Sequence, residues 1–462
     1  MPSDVLQKIV ANKRRELLLR KSLLSLEHLK KDLPNSKKSF FDALNTKKSD
    51  FIFECKKASP SKGLIRENYN LDEILDIYKD YASAISVLTD NRYFQGSFQH
   101  LQKVTKTVKQ PVLCKDFFID IYQVYEARYF GADAILLMLS VLSDEQYQVL
   151  ADTAKTLDLD ILTEVHDEDE MNRALNLEAK IIGINNRNLK DLSIDLSTTK
   201  FLLDNLSETN KQGRVFISES GINNHHQVRE LAPLVSGFLI GSSIMAKPDI
   251  RRQCKKLIFG VNKICGLTDE QSAATAFEQG AIYGGLIFYP KSPRYVDINK
   301  ASKIVNAAAL DYVGVFVDES KQKLIDIANQ LKLSVIQLHG SEDESYIKSI
   351  RQTLPQCEIW KAISVKSGSI DDTYLHNKDI DRLLFDTYNE ELVGGSGKIF
   401  DWSLLDSTNK QNIILAGGID ITNIEQAIQQ KTYALDINSG VETHPGVKSN
   451  KKISEIFKAL HA

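Results

Sequence analysis

Charged side chains fall where short apolar runs of this chain end. In Phe51-Ile52-Phe53-Glu54-Cys55-Lys56 a carboxylate and an ammonium stand two residues apart, and alternate side chains of a strand share one face. Ser59-Pro60-Ser61-Lys62-Gly63 turns the chain directly afterwards. Later runs of Ile, Leu, Val and Phe end on Lys115, on Glu164, on Asn185 with Arg187, on Glu219 with Ser220, and on Gly241 with Ser242. A salt bridge or loop cap accounts for any one of these. It does not account for the set, because charge among apolar residues is costly unless paired or used. Two lysines and three glutamates in one cavity can pair and separate their pKa values, leaving an acid and a base at neutral pH. That is equipment for proton transfer.

The second half of the chain carries a different pair. Cys265, in Lys263-Ile264-Cys265-Gly266-Leu267-Thr268, follows an apolar run, and Asp386 ends another in Leu384-Phe385-Asp386-Thr387. A thiol is ordinarily a small buried apolar group, but opposite an aspartate at a cavity mouth it becomes half of an acid/base pair. Arg294 could hold a substrate carboxylate, Gln337 and His339 place two polar groups at cavity height, and Asp436 precedes a glycine turn. Anion cradles are suggested in both halves, by Ser220-Gly221 and Gly241-Ser242 and again by Gly417-Gly418 and Ser439-Gly440. Glycine lets backbone approach a ligand, and a following helix start offers unpaired N–H groups to phosphate.

The elements that must position these groups alternate strictly. Residues 51–55, 84–88, 112–115, 134–138, 160–164, 181–185, 215–219 and 238–241 read as strands, with amphipathic stretches between them. So do residues 262–265, 285–288, 312–316, 335–338, 359–362, 383–386, 412–416 and 434–437. Alternating strands and helices imply a parallel sheet, and eight repeats close it into a barrel with its chemistry at the C-terminal strand ends. Two tandem (β/α)8 TIM barrels follow, over residues 1–256 and 257–462. No Gly/Ser-rich or Pro-rich spacer separates them, which suggests barrels packed together or rigidly joined. Residues 1–45 read as an extra helix and loop covering the first mouth.

Composition narrows the class. The chain has 462 residues, 42% hydrophobic and 26% charged, with a net charge of -3, so it offers no long-range attraction to nucleic acid or an anionic membrane. No apolar stretch is long enough to span a bilayer, and Met1 to Arg20 lacks the features of a leader. Cys55, Cys114, Cys254, Cys265 and Cys357 are scattered, without metal-ligand spacing, as expected of reduced thiols in the cytoplasm. His225 and His226, adjacent in the chain, point different ways and make a poor metal pair. The residues alone leave a Schiff-base aldolase-type barrel, an FMN-binding barrel and a non-enzymatic scaffold half open beside acid/base catalysis.

Longer strings resemble two known families. Glu54-x-Lys56-x-x-Ser59-Pro60-Ser61-x-Gly63, Lys115-Asp116-Phe117, Glu164-Val165-His166, Asn185-Asn186-Arg187 and Ser218-Glu219-Ser220-Gly221-Ile222 resemble indole-3-glycerol-phosphate synthase. Lys263-x-Cys265-Gly266-Leu267-Thr268, Phe288-Tyr289-Pro290-x-Ser292-x-Arg294, Gln337-Leu338-His339-Gly340, Gly394-Gly395-Ser396-Gly397-Lys398-x-Phe400-Asp401-Trp402 and Ala416-Gly417-Gly418 resemble phosphoribosylanthranilate isomerase. The resemblance covers essentially the whole chain. It implies an Amadori rearrangement in the second barrel, with Asp386 as acid and Cys265 as base. It implies indole ring closure with loss of CO2 and water in the first, with Lys115 as acid and Glu164 and Lys56 handling later protons. Glu54, Asn185 and Glu219 would orient the lysines and substrate, and Ser61, Gly221, Gly241 and Ser242 would hold phosphate. Ser59, Arg187, Ser220, Arg294, Gln337, His339, Gly417, Gly418, Asp436, Ser439 and Gly440 are the remaining ligand-holding candidates. Phosphorylated anthranilate-ribose compounds are the implied substrates. The resemblance calls for neither metal nor organic cofactor, and a monomer is one admissible assembly.

Overall fold

The computed structural model describes residues 5–188, 191–365, 373–387, 400–407 and 409–461. Two closed parallel barrels of eight strands each are present, every strand hydrogen-bonded to its sequence neighbours and the last to the first. The first comprises β1 (Asp50–Cys55), β2 (Ala84–Leu88), β3 (Val112–Lys115), β4 (Ala134–Met138), β5 (Asp160–Val165), β6 (Ile181–Asn185), β7 (Val215–Glu219) and β8 (Gly237–Ile240). The second comprises β9 (Asn262–Ile264), β10 (Tyr283–Ile287), β11 (Asp311–Phe316), β12 (Val335–Leu338), β13 (Glu358–Val365), β14 (Arg382–Thr387), β15 (Ile413–Leu415) and β16 (Ala434–Ile437). The strands are buried almost throughout, as parallel strands covered by crossover helices must be. Ile52, Leu113, Leu162 and Ile217 fill the first barrel, while Val313, Trp360 and Leu384 fill the second.

Helix starts are written into the loops. Asp120, Ser143, Asp167, Asp269 and Asp343 each accept a backbone N–H from the first turn of the helix they precede, and Ser143 with Gln146 forms a reciprocal capping box. Each loop therefore ends where the next helix is stapled, and the strand ends are left free to converge.

Residues 1–45 do more than the expected cover. Helix α1 (Val5–Leu23) brings Val5, Leu6 and Ile9 to the cavity at the first mouth. Its fully buried Lys13 is tied to Asp90 at 2.9 Å and Asp116 at 2.8 Å, beyond the C-terminal ends of β2 and β3. After α2 (Leu26–Lys30), α3 (Phe40–Leu44) lies at the opposite end. Asp160, which opens β5, accepts the Phe40 and Phe41 N–H groups, and Phe40 and Leu44 pack against Ile52 and Ala84. The segment thus covers the mouth and plugs the base. Two short antiparallel hairpins not apparent in the sequence pattern, Ala58–Ser59 with Gly63–Leu64 and Glu442–His444 with Val447–Lys448, decorate the two mouths.

A helix spans Ile250–Phe259, where Leu257 and Ile258 continue a buried face alongside Cys254. Compact units divide between Cys254 and Lys255, inside this helix, beside the expected 256/257 boundary.

Candidate active sites

In the first barrel, five strand ends deliver charge or amide to one cavity. Lys115 Nζ lies 2.7 Å from Glu219 Oε2 and 3.5 Å from Glu164 Oε2. Asn185 Nδ2 donates to Glu164 Oε1 at 3.1 Å, and Lys56 Nζ lies 2.5 Å from Glu54 Oε1. All three glutamates are buried. Burial pulls the Lys115 ammonium down, but Glu219, Glu164 and Glu54 outweigh it and hold the pKa above the ordinary lysine value. Burial pushes Glu219 up to about 7 against the pull of Lys115, with Glu164 and Glu54 adding to the rise. The site therefore keeps a charged ammonium beside a carboxylate that titrates near neutrality.

Gly183 within β6 and Gly241 directly after β8 make room for these acids. A Cβ on Gly183 would stand 2.1 Å from Glu219 Oε1, and one on Gly241 would stand 2.4 Å from Glu54 Oε1. Gly241 was expected only as a phosphate turn, and Gly183 was not expected at all. Phe94, Phe117, Leu136, Met138 and Leu239 supply apolar walls to the same cavity, fit for an aromatic ring. Ser59, Ser61, Arg187, Ser220, Gly221 and Ser242 also reach it. Ser220 and Gly221 both have positive φ, 65° and 88°, so this turn presents its backbone in a conformation side chains disfavour. Arg187 donates through Nη1 to Leu192 O, and Ser243 Oγ binds Ile222 O, stitching the mouth loops.

In the second barrel Cys265, Asp386, Arg294, Gln337, His339, Gly417, Gly418, Asp436 and Ser439 line one cavity. Asp386 Oδ1 accepts the Thr387 N–H at 2.8 Å, and Oδ2 lies 3.8 Å from His339 Nε2. Burial, reinforced by Lys263 and Lys361, lowers His339 to about 4, so the imidazole facing Asp386 is neutral. Burial and Asp436 raise the Cys265 thiol, opposed by Lys263. Gly417 (φ 85°) and Gly418 (φ 61°) turn after β15, and a Cβ on Gly440 would lie 2.0 Å from Ile419 O. The two glycine turns therefore pack against each other, with Gly417, Gly418 and Ser439 lining the cavity and Gly440 behind them.

Two expectations are modified. Arg294 is already held bidentately by Glu442, Nε to Oε1 at 2.9 Å and Nη2 to Oε2 at 2.7 Å, so its forked edge faces a protein carboxylate. Asp436 lines the cavity but is the counter-ion of Lys263, at 2.9 Å, and a carboxylate repels phosphate. The residues 394–398 of the glycine-rich motif lie outside the described residues. Sequence reasoning also passed over Lys448, which bonds Asn438 and Glu442 beside this mouth. Among the described residues, no cluster of three His, Cys, Asp or Glu could hold a metal ion. No described helix is long and apolar enough to cross a membrane, and all five cysteines are free and buried.

The family described as indole-3-glycerol phosphate synthase matches residues 6–257, and that described as N-(5'-phosphoribosyl)anthranilate isomerase matches residues 262–459. The tryptophan biosynthesis protein TrpCF of Haemophilus influenzae is 49% identical over 466 residues, covering 99% of this chain and 97% of the relative. That of Yersinia pestis is 48% identical over 457 residues, covering 99% and 94%. A crystal structure of phosphoribosyl anthranilate isomerase from Thermus thermophilus shares 30% identity at a TM-score of 0.40, covering 43% of this chain and 98% of that one. The chain belongs to both families, with a decarboxylating synthase barrel first and an isomerase barrel second, as a bifunctional enzyme of tryptophan biosynthesis.

Proposed function

We propose that the two mouths run consecutive steps through the residues placed there. In the second, Asp386 protonates the ribose ring oxygen of N-(5-phosphoribosyl)anthranilate, which opens the ring to an iminium. Cys265, as general base, removes the C2 proton. The resulting enol rearranges to 1-(2-carboxyphenylamino)-1-deoxyribulose 5-phosphate, and the cradle of Gly417, Gly418, Ser439 and Gly440 holds the phosphate. The observation that carries this reading is one thiol and one carboxylate lining the same cavity at the ends of β9 and β14.

In the first barrel Lys115 protonates the ketone oxygen as the aromatic ring attacks, carbon dioxide leaves, and Glu164 with Lys56 moves the protons of the dehydration. Glu54, Asn185 and Glu219 orient the two lysines and the substrate, which a charged Lys115 between two carboxylates supports. Ser61, Gly221, Gly241 and Ser242 hold the phosphate, and Arg187, Ser59 and Ser220 complete the mouth. Arg294 contributes charge towards the anthranilate carboxylate from its Glu442 clamp. Residues 1–256 and 257–462 are the functional halves, the substrates are small phosphorylated anthranilate-ribose compounds, and the cytoplasm is the working compartment. Cys265→Ala and Asp386→Asn should each remove most isomerase activity, with the double variant little worse than the worse single one, because the pair acts as a unit. A coupled assay from phosphoribosylanthranilate to indole-glycerol phosphate reads this, and additive losses count against the pairing.

A further inference from the structure

Lys263 is fully buried in the second barrel, and no proton transfer above uses it. An ammonium has three protons, and here two of them meet Gln337 Oε1 at 2.7 Å and Asp436 Oδ2 at 2.9 Å, with the sulfur of Cys265 close by. Lys263 and Cys265 stand two residues apart and project to the same side. Gly285 on β10 leaves the notch they share, since a Cβ there would stand 2.8 Å from both Cys265 Sγ and Lys263 Cε.

The contact reaches further through Gln337. With its oxygen given to Lys263, its amide nitrogen faces His339 Nδ1 at 3.2 Å. An amide nitrogen only donates, so Nδ1 accepts and the ring proton of the neutral imidazole sits on Nε2, the nitrogen 3.8 Å from Asp386 Oδ2. One polar chain thus runs from Asp436 through Lys263, Gln337 and His339 to Asp386, with Cys265 branching at Lys263.

We infer that Lys263 is a positioning residue of the isomerase site, setting a positive charge beside the Cys265 sulfur that favours loss of its proton and, through Gln337, fixing the His339 tautomer that faces Asp386. The inference rests on Cys265 and Asp386 being the base and acid. Other charged groups act on the sulfur: Asp436 from β16, Lys448 from the C-terminal hairpin and Arg294 after β10, while Asp386 and His339 share its cavity. Burial and Asp436 push the thiol up, whereas Lys263 and Lys448 pull it down, and the balance leaves it above the ordinary thiol value. Lys263 and Asp436 therefore act on one sulfur with opposite sign, which a merely structural ion pair would not reveal.

The test measures, in the full-length protein, the pH dependence of Cys265 alkylation by iodoacetamide, read on the Cys265 peptide by mass spectrometry, beside the pH profile of isomerase kcat/KM. Lys263→Met should move both midpoints up by about one unit or more, Asp436→Asn should move them down, and Lys263→Arg should restore much of the parental profile. At pH 7 the Lys263→Met turnover should fall at least about tenfold, with KM little changed. Unchanged midpoints in Lys263→Met and Asp436→Asn, or shifts of the same sign, overturn the inference. If Lys263→Met fails to fold, Asp436→Asn decides, a downward shift supporting the inference and none overturning it. Full isomerase activity in Cys265→Ala would instead overturn the acid/base assignment beneath it.

Discussion

Replacing Lys115 by methionine separates two roles that the ammonium plays at once. A positioned general acid contributes about 10²–10⁴-fold, so ring closure should fall by at least about 100-fold, while isomerisation in the same molecules stays at the parental rate. Stability follows a different course. Removing one partner of a buried ion pair costs about 3–5 kcal/mol when the orphaned charge remains. Here Glu219 and Glu164, both buried, lose the cation 2.7 and 3.5 Å away. Burial has already raised Glu219 to about 7, so near neutrality it takes up a proton and escapes much of that cost. A carboxylate whose folded pKa lies above its ordinary value of 4.5 contributes stability that is full below 4.5 and lost as pH rises through about 7. Without Lys115 that pKa climbs further and the loss continues at higher pH. The stability deficit of Lys115→Met should therefore grow by up to about 1.4 kcal/mol per unit from pH 7 to pH 9. The double variant Lys115→Met/Glu219→Gln removes the orphaned charge, and should regain stability at pH 8 without regaining ring closure. Urea unfolding at four pH values and indole-glycerol phosphate formation from the carboxyphenylamino substrate measure the two effects. Near-parental ring closure in the single variant, or its recovery in the double one, would refute Lys115 as the acid.

Gly183→Ala places a Cβ 2.1 Å from Glu219 Oε1, so Glu219 must move and ring closure should drop about tenfold or more, with isomerisation unchanged; a parental rate in steady-state assays would show that the position of Glu219 is unimportant. Fragments 1–259 and 255–462, both carrying the second half of the helix Ile250–Phe259, should each fold and keep one activity. If neither fragment catalysed its step while their mixture did, the sites would be shared across the boundary.

The barrels were legible because every strand is a short apolar run buried on both faces, and sixteen such runs alternate with amphipathic stretches. The ends of residues 1–45 were less so. Phe40, Phe41 and Leu44 announce an apolar helical face, but nothing local says that it meets Ile52 and Ala84 at the barrel base. That destination is set by Asp160, which is more than a hundred positions away in the chain and receives the Phe40 and Phe41 N–H groups. The two hairpins escaped for another reason. Ala58–Ser59 and Gly63–Leu64 are too short to show a period, and turn residues dominate the string between them.

The catalytic candidates were legible through one argument, that alternation along a strand puts Glu54 and Lys56 on the same face. The same argument applies to Lys263 and Cys265, yet an apolar run opening on a lysine reads as a strand start, where lysines are ordinarily solvated. What distinguishes Lys263 is Asp436, its directly paired neighbour across β9 and β16, and that pairing exists only after the sheet closes. Gly183, Gly241 and Gly285 share this property. Each is required by a side chain on an adjacent strand, Glu219, Glu54 and Cys265 respectively. Chemistry carried by a residue's own type and spacing can be read from a sequence, but the space that lets a buried acid or thiol sit at a strand end is carved by neighbours that only the closed barrel supplies.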